Sequence, residues 1–160
     1  MTRNNKGFTL IELITVLVLI GIIGVFGGLF MVRMVQSYKW AEDNAHLAQK
    51  AQVALTRMSV EMAYADSVDE VELGNDVIKF DAIYPDNSKE TENKFELDGN
   101  FLIFEKNNIQ HNLTDRVESF VIDDSQLSDG YFTVTLIMKG ANNAQKTFVK
   151  TMALPEEDEE

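Results

Sequence analysis

Twenty consecutive residues, Leu13 to Val32, carry no charge. A helix of that length covers about 30 Å at about 1.5 Å rise per residue, the thickness of a bilayer's hydrocarbon. Fourteen of the twenty are Leu, Ile, Val or Phe. At roughly -0.3 to -0.6 kcal/mol each near the helix centre, they favour insertion by about 4 to 8 kcal/mol before Gly and Thr subtract. A helix buried on all sides in a water-exposed core would need more surrounding protein than a 160-residue chain supplies. A secretory signal peptide fits poorly, because the run is too long and no small-residue cleavage site follows it before Arg33. The run reads as a membrane span that stays with the chain.

Charge is unevenly distributed around this span. Residues 1–7 sum to +2, residues 8–40 to +1, residues 41–73 to -5 and residues 74–160 to -10, for a net -12. Such an acidic chain lacks the clustered cations that neutralise a phosphate backbone, so no nucleic-acid partner is expected. Arg3 and Lys6 favour a cytoplasmic amino terminus, but Arg33 and Lys39 flank the other end, and a count of basic residues barely decides the orientation. The absence of Cys removes disulfide scaffolds, thiolate metal sites and cysteine nucleophiles while leaving the compartment open.

Glu12 stands out inside the apolar stretch that begins at Phe8. A carboxylate in hydrocarbon needs a cation, unless it sits at the headgroup level and stays wet; spacing alone leaves both readings open. The surrounding string, Lys6-Gly7-Phe8-Thr9-Leu10-Ile11-Glu12-Leu13 leading into an apolar helix, resembles the class III signal of type IV pilins and type II secretion pseudopilins. The resemblance implies that a prepilin peptidase cuts between Gly7 and Phe8 on the cytoplasmic side and N-methylates Phe8. It also implies a single-pass protein of the bacterial inner membrane whose residues beyond about 33 lie outside the cytoplasm. Glycine at the cut lets an extended backbone enter a protease cleft without steric conflict. In the family's mechanism Glu12 neutralises the terminal amine of a neighbouring subunit. An intrachain pairing is the alternative, since Phe8 and Glu12 are four residues apart on one helix face.

Gly24 and Gly28 form a small-xxx-small pair that lets a second helix approach closely. Glycine is also common in membrane helices generally, and the sequence does not choose between these readings. Many pilins carry a Pro in this part of the helix; here there is none.

The helical pattern continues past the span. No Gly or Pro occurs from Leu29 until Gly74, and Leu47, Ala51, Leu55, Met58, Met62 and Ala65 recur in steps of three or four. Glu42, Asp43, Lys50, Arg57 and Glu61 are read as lying largely off that stripe. A helix from Phe8 to about Asp66 makes a stem of roughly 90 Å. Beyond residue 76 the period changes to that of strands: 77–84, 94–97, 101–106, 117–122, 131–139 and 146–154. Asp98-Gly99-Asn100, Asp129-Gly130 and Gly140-Ala141-Asn142-Asn143 supply turns, and Pro85 to Glu92 reads as a polar loop. Phe132, Val134, Leu136 and Met138, followed by Phe148, Met152 and Leu154, are expected to cover the helix stripe. The expected fold is α+β: a long N-terminal α-helix, membrane-spanning in its first half, packed against an antiparallel sheet of four to six strands. The expected organisation is a leader at 1–7, a transmembrane and polymerisation helix at 8–32, an amphipathic extension at 33–66, a β-rich head at 74–155 and an acidic tail at 156–160.

No catalytic pattern emerges. His46 and His111 are the only imidazoles and neither stands in a metal or triad motif. His46 follows Glu42 at helical spacing and reads as a surface pair. Asp123, Asp124 and Asp129 surround a loop without an EF-hand pattern and read as solvated acids, so no cofactor or metal is expected. The stretch Ala51 to Met62 is similar to the start of the head region in J-type pseudopilins and W-type minor pilins. That similarity implies a minor pilin or pseudopilin acting at a filament tip or in initiation, with prepilin peptidase, other pilin subunits and an inner-membrane assembly platform as partners. The alternatives are a major pilin-like subunit or a single-span anchor presenting a binding module.

Overall fold

The computed structural model describes residues 7–66, 72–74 and 76–154. Arg3, Lys6 and the tail Glu156 to Glu160 lie outside the described residues. One long helix, α1 (Leu10–Met62), is followed by antiparallel strands. The chain divides into two compact units, residues 1–41 and residues 42–160.

In the first unit the helix begins under a side-chain cap. The Thr9 hydroxyl accepts the Glu12 backbone N–H at 3.3 Å, satisfying one of the donors that a helix start leaves open. From there the absence of Pro keeps the backbone ladder intact. The large apolar side chains from Phe8 to Val35 are exposed, as hydrocarbon-facing residues would be.

In the second unit, α1 residues 42–62 bury one stripe. Leu47, Ala51, Ala54, Leu55, Met58 and Met62 are each 5 % exposed or less. The helix ends as its bonds tighten to i→i+3, with Tyr64 N–H donating to Glu61 C=O at 3.0 Å. Ala65 then bridges to Ala82.

The head holds two sheets. The first is a five-stranded meander of β1 (Glu72–Leu73), β2 (Val77–Ile83), β3 (Lys89–Asp98), β4 (Phe101–Lys106) and β5 (Ile109–Thr114). The second is three-stranded: β6 (Val117–Asp123), β7 (Tyr131–Lys139) and β8 (Gln145–Ala153). Phe80, Phe95 and Phe104 come from neighbouring strands of the first sheet and stack, with Phe95 and Phe104 ring centres 4.6 Å apart. Phe132, Val134, Leu136 and Met138 of β7 are all fully buried, on the single face the alternation predicts. At about 1.5–3 kcal/mol for each large apolar side chain removed from water, these two rows dominate the cohesion of the head.

Several features differ from the sequence reading: β1 and β5 are not among the expected strands, and eight strands are described where four to six are expected. The single expected sheet is two sheets, because the connection between β5 and β6 turns out of the ladder at Arg116, whose φ is +60°. That joint is tied to the helix by Arg116–Asp43 at 2.8 Å and Lys50–Asp115 at 2.7 Å. The polar segment 85–92 is only partly loop. A tight turn from Tyr84 to Ser88 closes the hairpin, and β3 resumes at Lys89.

Candidate functional site

The residues expected to matter for processing and assembly lie at the start of α1. Gly7 and Phe8 precede the first helical turn, and Phe8 is 79 % exposed. Glu12 is in that first turn, where a carboxylate is favoured by the partial positive charge of the helix amino end. Among the described residues it has no ion pair. Thr9 was not singled out by the sequence reading, although Thr9-x-x-Glu12 is the spacing of a capping box, a signal that could have found it. The cap gives Glu12's neighbourhood a defined backbone.

Gly24 and Gly28 sit one turn apart, well up the helix from Glu12. A Cβ built on either meets nothing within 4 Å, so both positions are open toward their surroundings. Gly21 and Gly27 are equally open. The most apolar 18-residue window of α1 has a mean hydropathy of 2.7 and none of it is buried. A surface of this kind is satisfied by lipid or by other apolar helices.

In the head the structure corrects one expectation. Glu61, read as off the packed stripe, is 2 % exposed. Its carboxylate is held by the Arg57 guanidinium at 2.5 Å and accepts the Tyr84 hydroxyl at 2.6 Å. A buried carboxylate needs such partners, which is why apolar periodicity alone misplaces it. Burial, then the hydrogen bond to Glu61, pushes the Tyr84 phenol up to about 12. The Lys106 ammonium lies 3.7 Å from the centre of the Tyr84 ring and pairs with Glu90. Burial works against its charge, but Glu90 and Tyr84 outweigh burial and hold Lys106 above the ordinary lysine value. The network clamps the end of the helix to the first sheet.

Asp123, Asp124 and Asp129 do not gather into a cation site. The Ser125 side chain, and then the Ser125 N–H that Asp123 accepts at 3.0 Å, hold the Asp123 carboxyl below the ordinary range. Among the described residues no three metal-ligating side chains come together.

A capped amino-terminal helix with an open apolar surface, joined in one chain to an antiparallel head, defines an α+β pilin-like protein. Residues 2–27 match the prokaryotic N-terminal methylation motif. The match supports a class III signal of the kind that type IV pilins and pseudopilins carry, and with it a pilin-like prepilin peptidase substrate. The motif and the apolar helix fit membrane anchoring and point to a structural subunit. No curated protein and no solved structure matches the chain.

Proposed function

We infer that this chain is a minor pilin or pseudopilin that assembles through its amino-terminal helix into a type IV pilus or type II secretion pseudopilus, at the tip or in initiation. The match of residues 2–27 to the methylation motif carries this reading. The open apolar surface of α1 supports it, because a chain that leaves the bilayer must exchange lipid for other helices.

In this reading a prepilin peptidase cleaves between Gly7 and Phe8 and methylates the new amine. The product is anchored in the bacterial inner membrane with its amino terminus cytoplasmic and its head outside, where an assembly platform extracts it. Loss of Arg3 and Lys6 leaves 12 basic and 26 acidic side chains, a charge of -14. Glu12 neutralises the terminal amine of a neighbouring subunit, an attraction of about 4 kcal/mol at 4 Å and an effective dielectric of 20. Gly24 and Gly28 admit the neighbouring helix.

Mass spectrometry of the protein from its own cells tests the processing step. A mature terminus at N-methylated Phe8 is expected; retention of residues 1–7 in cells that process other pilins would remove the basis of the proposal. Glu12→Ala tests assembly. The variant should insert and be cleaved but incorporate poorly, and normal incorporation would overturn the role given to Glu12.

A further inference from the structure

The second sheet ends in an open edge. β8 runs nine residues beside β7 without Pro or a bulge, and no described strand pairs with its other side. Two bonds fix which backbone groups face that side. Gly140 N–H donates to Ala144 C=O at 2.8 Å at one end of the ladder, and Leu154 N–H donates to Gly130 C=O at 2.8 Å at the other. Antiparallel pairs alternate between those that exchange backbone bonds and those that do not, so Lys146, Phe148, Lys150 and Met152 are the residues bonded to β7. Thr147, Val149 and Thr151 therefore turn N–H and C=O outward, and among the described residues nothing bonds to those groups. The Thr133 and Thr151 hydroxyls, 3.0 Å apart, show the close approach expected of a pair that exchanges no backbone bonds.

Charge singles out the same edge. Every lysine and arginine of the second unit before Lys139 is paired with a carboxylate. Among the described residues Lys139, Lys146 and Lys150 are paired with none, although the chain has 26 acidic side chains to 14 basic. All three lie on β7 and β8. Lys146 and Lys150 share the inner row of β8 with the half-buried Phe148 and the buried Met152. A groove of about 370 Å³ runs beside that row; its α1 side is Ala48, Gln52, Leu55 and Thr56, none charged, and Phe148 and Lys150 line it from β8. The edge at β5 offers no such match, because the cations of its groove, Arg57 and Lys106, are already held by Glu61 and Glu90.

We propose that β8 accepts an extended acidic segment of a partner protein as an added strand, with acid, apolar and acid side chains at alternate positions. The spacing follows from the row it meets. Lys146 and Lys150 are four residues apart, about 13 Å at about 3.3 Å per residue, and Phe148 lies midway. A strand paired to the outward groups of Thr147, Val149 and Thr151 sets its own alternate side chains beside that row. One carboxylate then stands by each ammonium and the apolar group stands by Phe148. Main-chain bonds supply the affinity, and the two lysines choose the sign of the partner. The same lysines disfavour a second copy on this edge, because β8 set against β8 brings ammonium to ammonium. The proposal concerns the head and does not depend on cleavage or filament assembly.

The probe is a capped seven-residue peptide with glutamate at its second and sixth positions, valine at its fourth and threonine elsewhere. Its counterpart carries lysine in place of glutamate. Full-length protein in detergent micelles is titrated with each to millimolar concentration, and amide exchange is followed residue by residue by NMR. The acidic peptide should slow exchange at Thr147, Val149 and Thr151 about five-fold or more and leave Lys146, Phe148 and Lys150, already bonded in the ladder, unchanged. The lysine peptide should slow none of them. Combining Lys146→Glu with Lys150→Glu, with circular dichroism unchanged, should weaken binding of the acidic peptide about ten-fold or more. If the lysines only guard the edge against pairing, neither peptide protects it, and the proposal falls. Equal protection by both peptides, protection without the alternation, or an affinity indifferent to the charge reversal would each overturn it as well. So would alternating protection in peptide-free protein that grows with its concentration, which would give the edge to a second copy.

Discussion

Tyr84→Phe isolates one bond of the clamp between the helix end and the first sheet. The ring stays, and with it the contact to Tyr64 at 5.3 Å and the Lys106 ammonium above its face. What goes is the hydroxyl that donates to the buried Glu61 carboxylate at 2.6 Å. A hydrogen bond to a charged group contributes about 1.5–3 kcal/mol. Glu61 keeps Arg57, so its charge is not abandoned, and the loss falls in the lower half of that range, about 2 kcal/mol. For a unit of about 120 residues the unfolding entropy is about 0.25 kcal/mol/K, so Tm should fall by about 8 °C. The pH dependence follows from the raised phenol. Its folded value of about 12 lies above the unfolded value near 10, so the Tyr84 contribution is complete below pH 10 and is lost as pH rises through 12. Thermal melts of wild type and Tyr84→Phe, full-length in detergent and followed by sheet circular dichroism, should show a gap that is constant from pH 7 to 9 and closes between 10 and 12. A gap under 2 °C at pH 7, or one that does not close, refutes the argument.

Phe95→Ala should cost about 3–5 kcal/mol in the same melts, because Phe95 is fully buried between Phe80 and Phe104 and the cavity is walled by rigid rings. Gly140→Ala should cost about 1–3 kcal/mol, since the new Cβ would stand 2.6 Å from Asn44 Oδ1 and 3.3 Å from the Ala144 carbonyl. By contrast Lys50→Ala, which removes the half-exposed pair with Asp115, should cost less than about 1 kcal/mol, and the difference should vanish in 1 M salt.

The sequence was most informative where one physical pattern ran uninterrupted. The helix stripe from Leu47 to Met62 and the alternation in β7 were legible because packing alone sets them, and all the residues they nominate are buried. β5 was missed because Ile109-Gln110-His111-Asn112 is a polar edge strand whose side chains face water. Its signal lay in the turn before it: Asn107 and Asn108 both adopt positive φ, the two-residue geometry that closes a right-twisted hairpin. Glu61 was misread because burial of a carboxylate is decided by Arg57 and Tyr84, the second of which is 23 residues away. The division into two sheets turns on the backbone of Arg116, a residue type that gives no warning of a left-handed conformation. At the amino-terminal end the methylation motif was readable from the sequence, while the capping role of Thr9 escaped.

Among the described residues, every ladder in the head joins strands that are consecutive in the chain, β1 to β5 in order and then β6 to β8. No strand waits for a distant mate, so each hairpin can zip as soon as its own residues are present, and chain closure costs little entropy. A polypeptide delivered from its amino-terminal end would meet that condition progressively. With no Cys to oxidise, maturation of the head needs neither a thiol oxidant nor a disulfide isomerase.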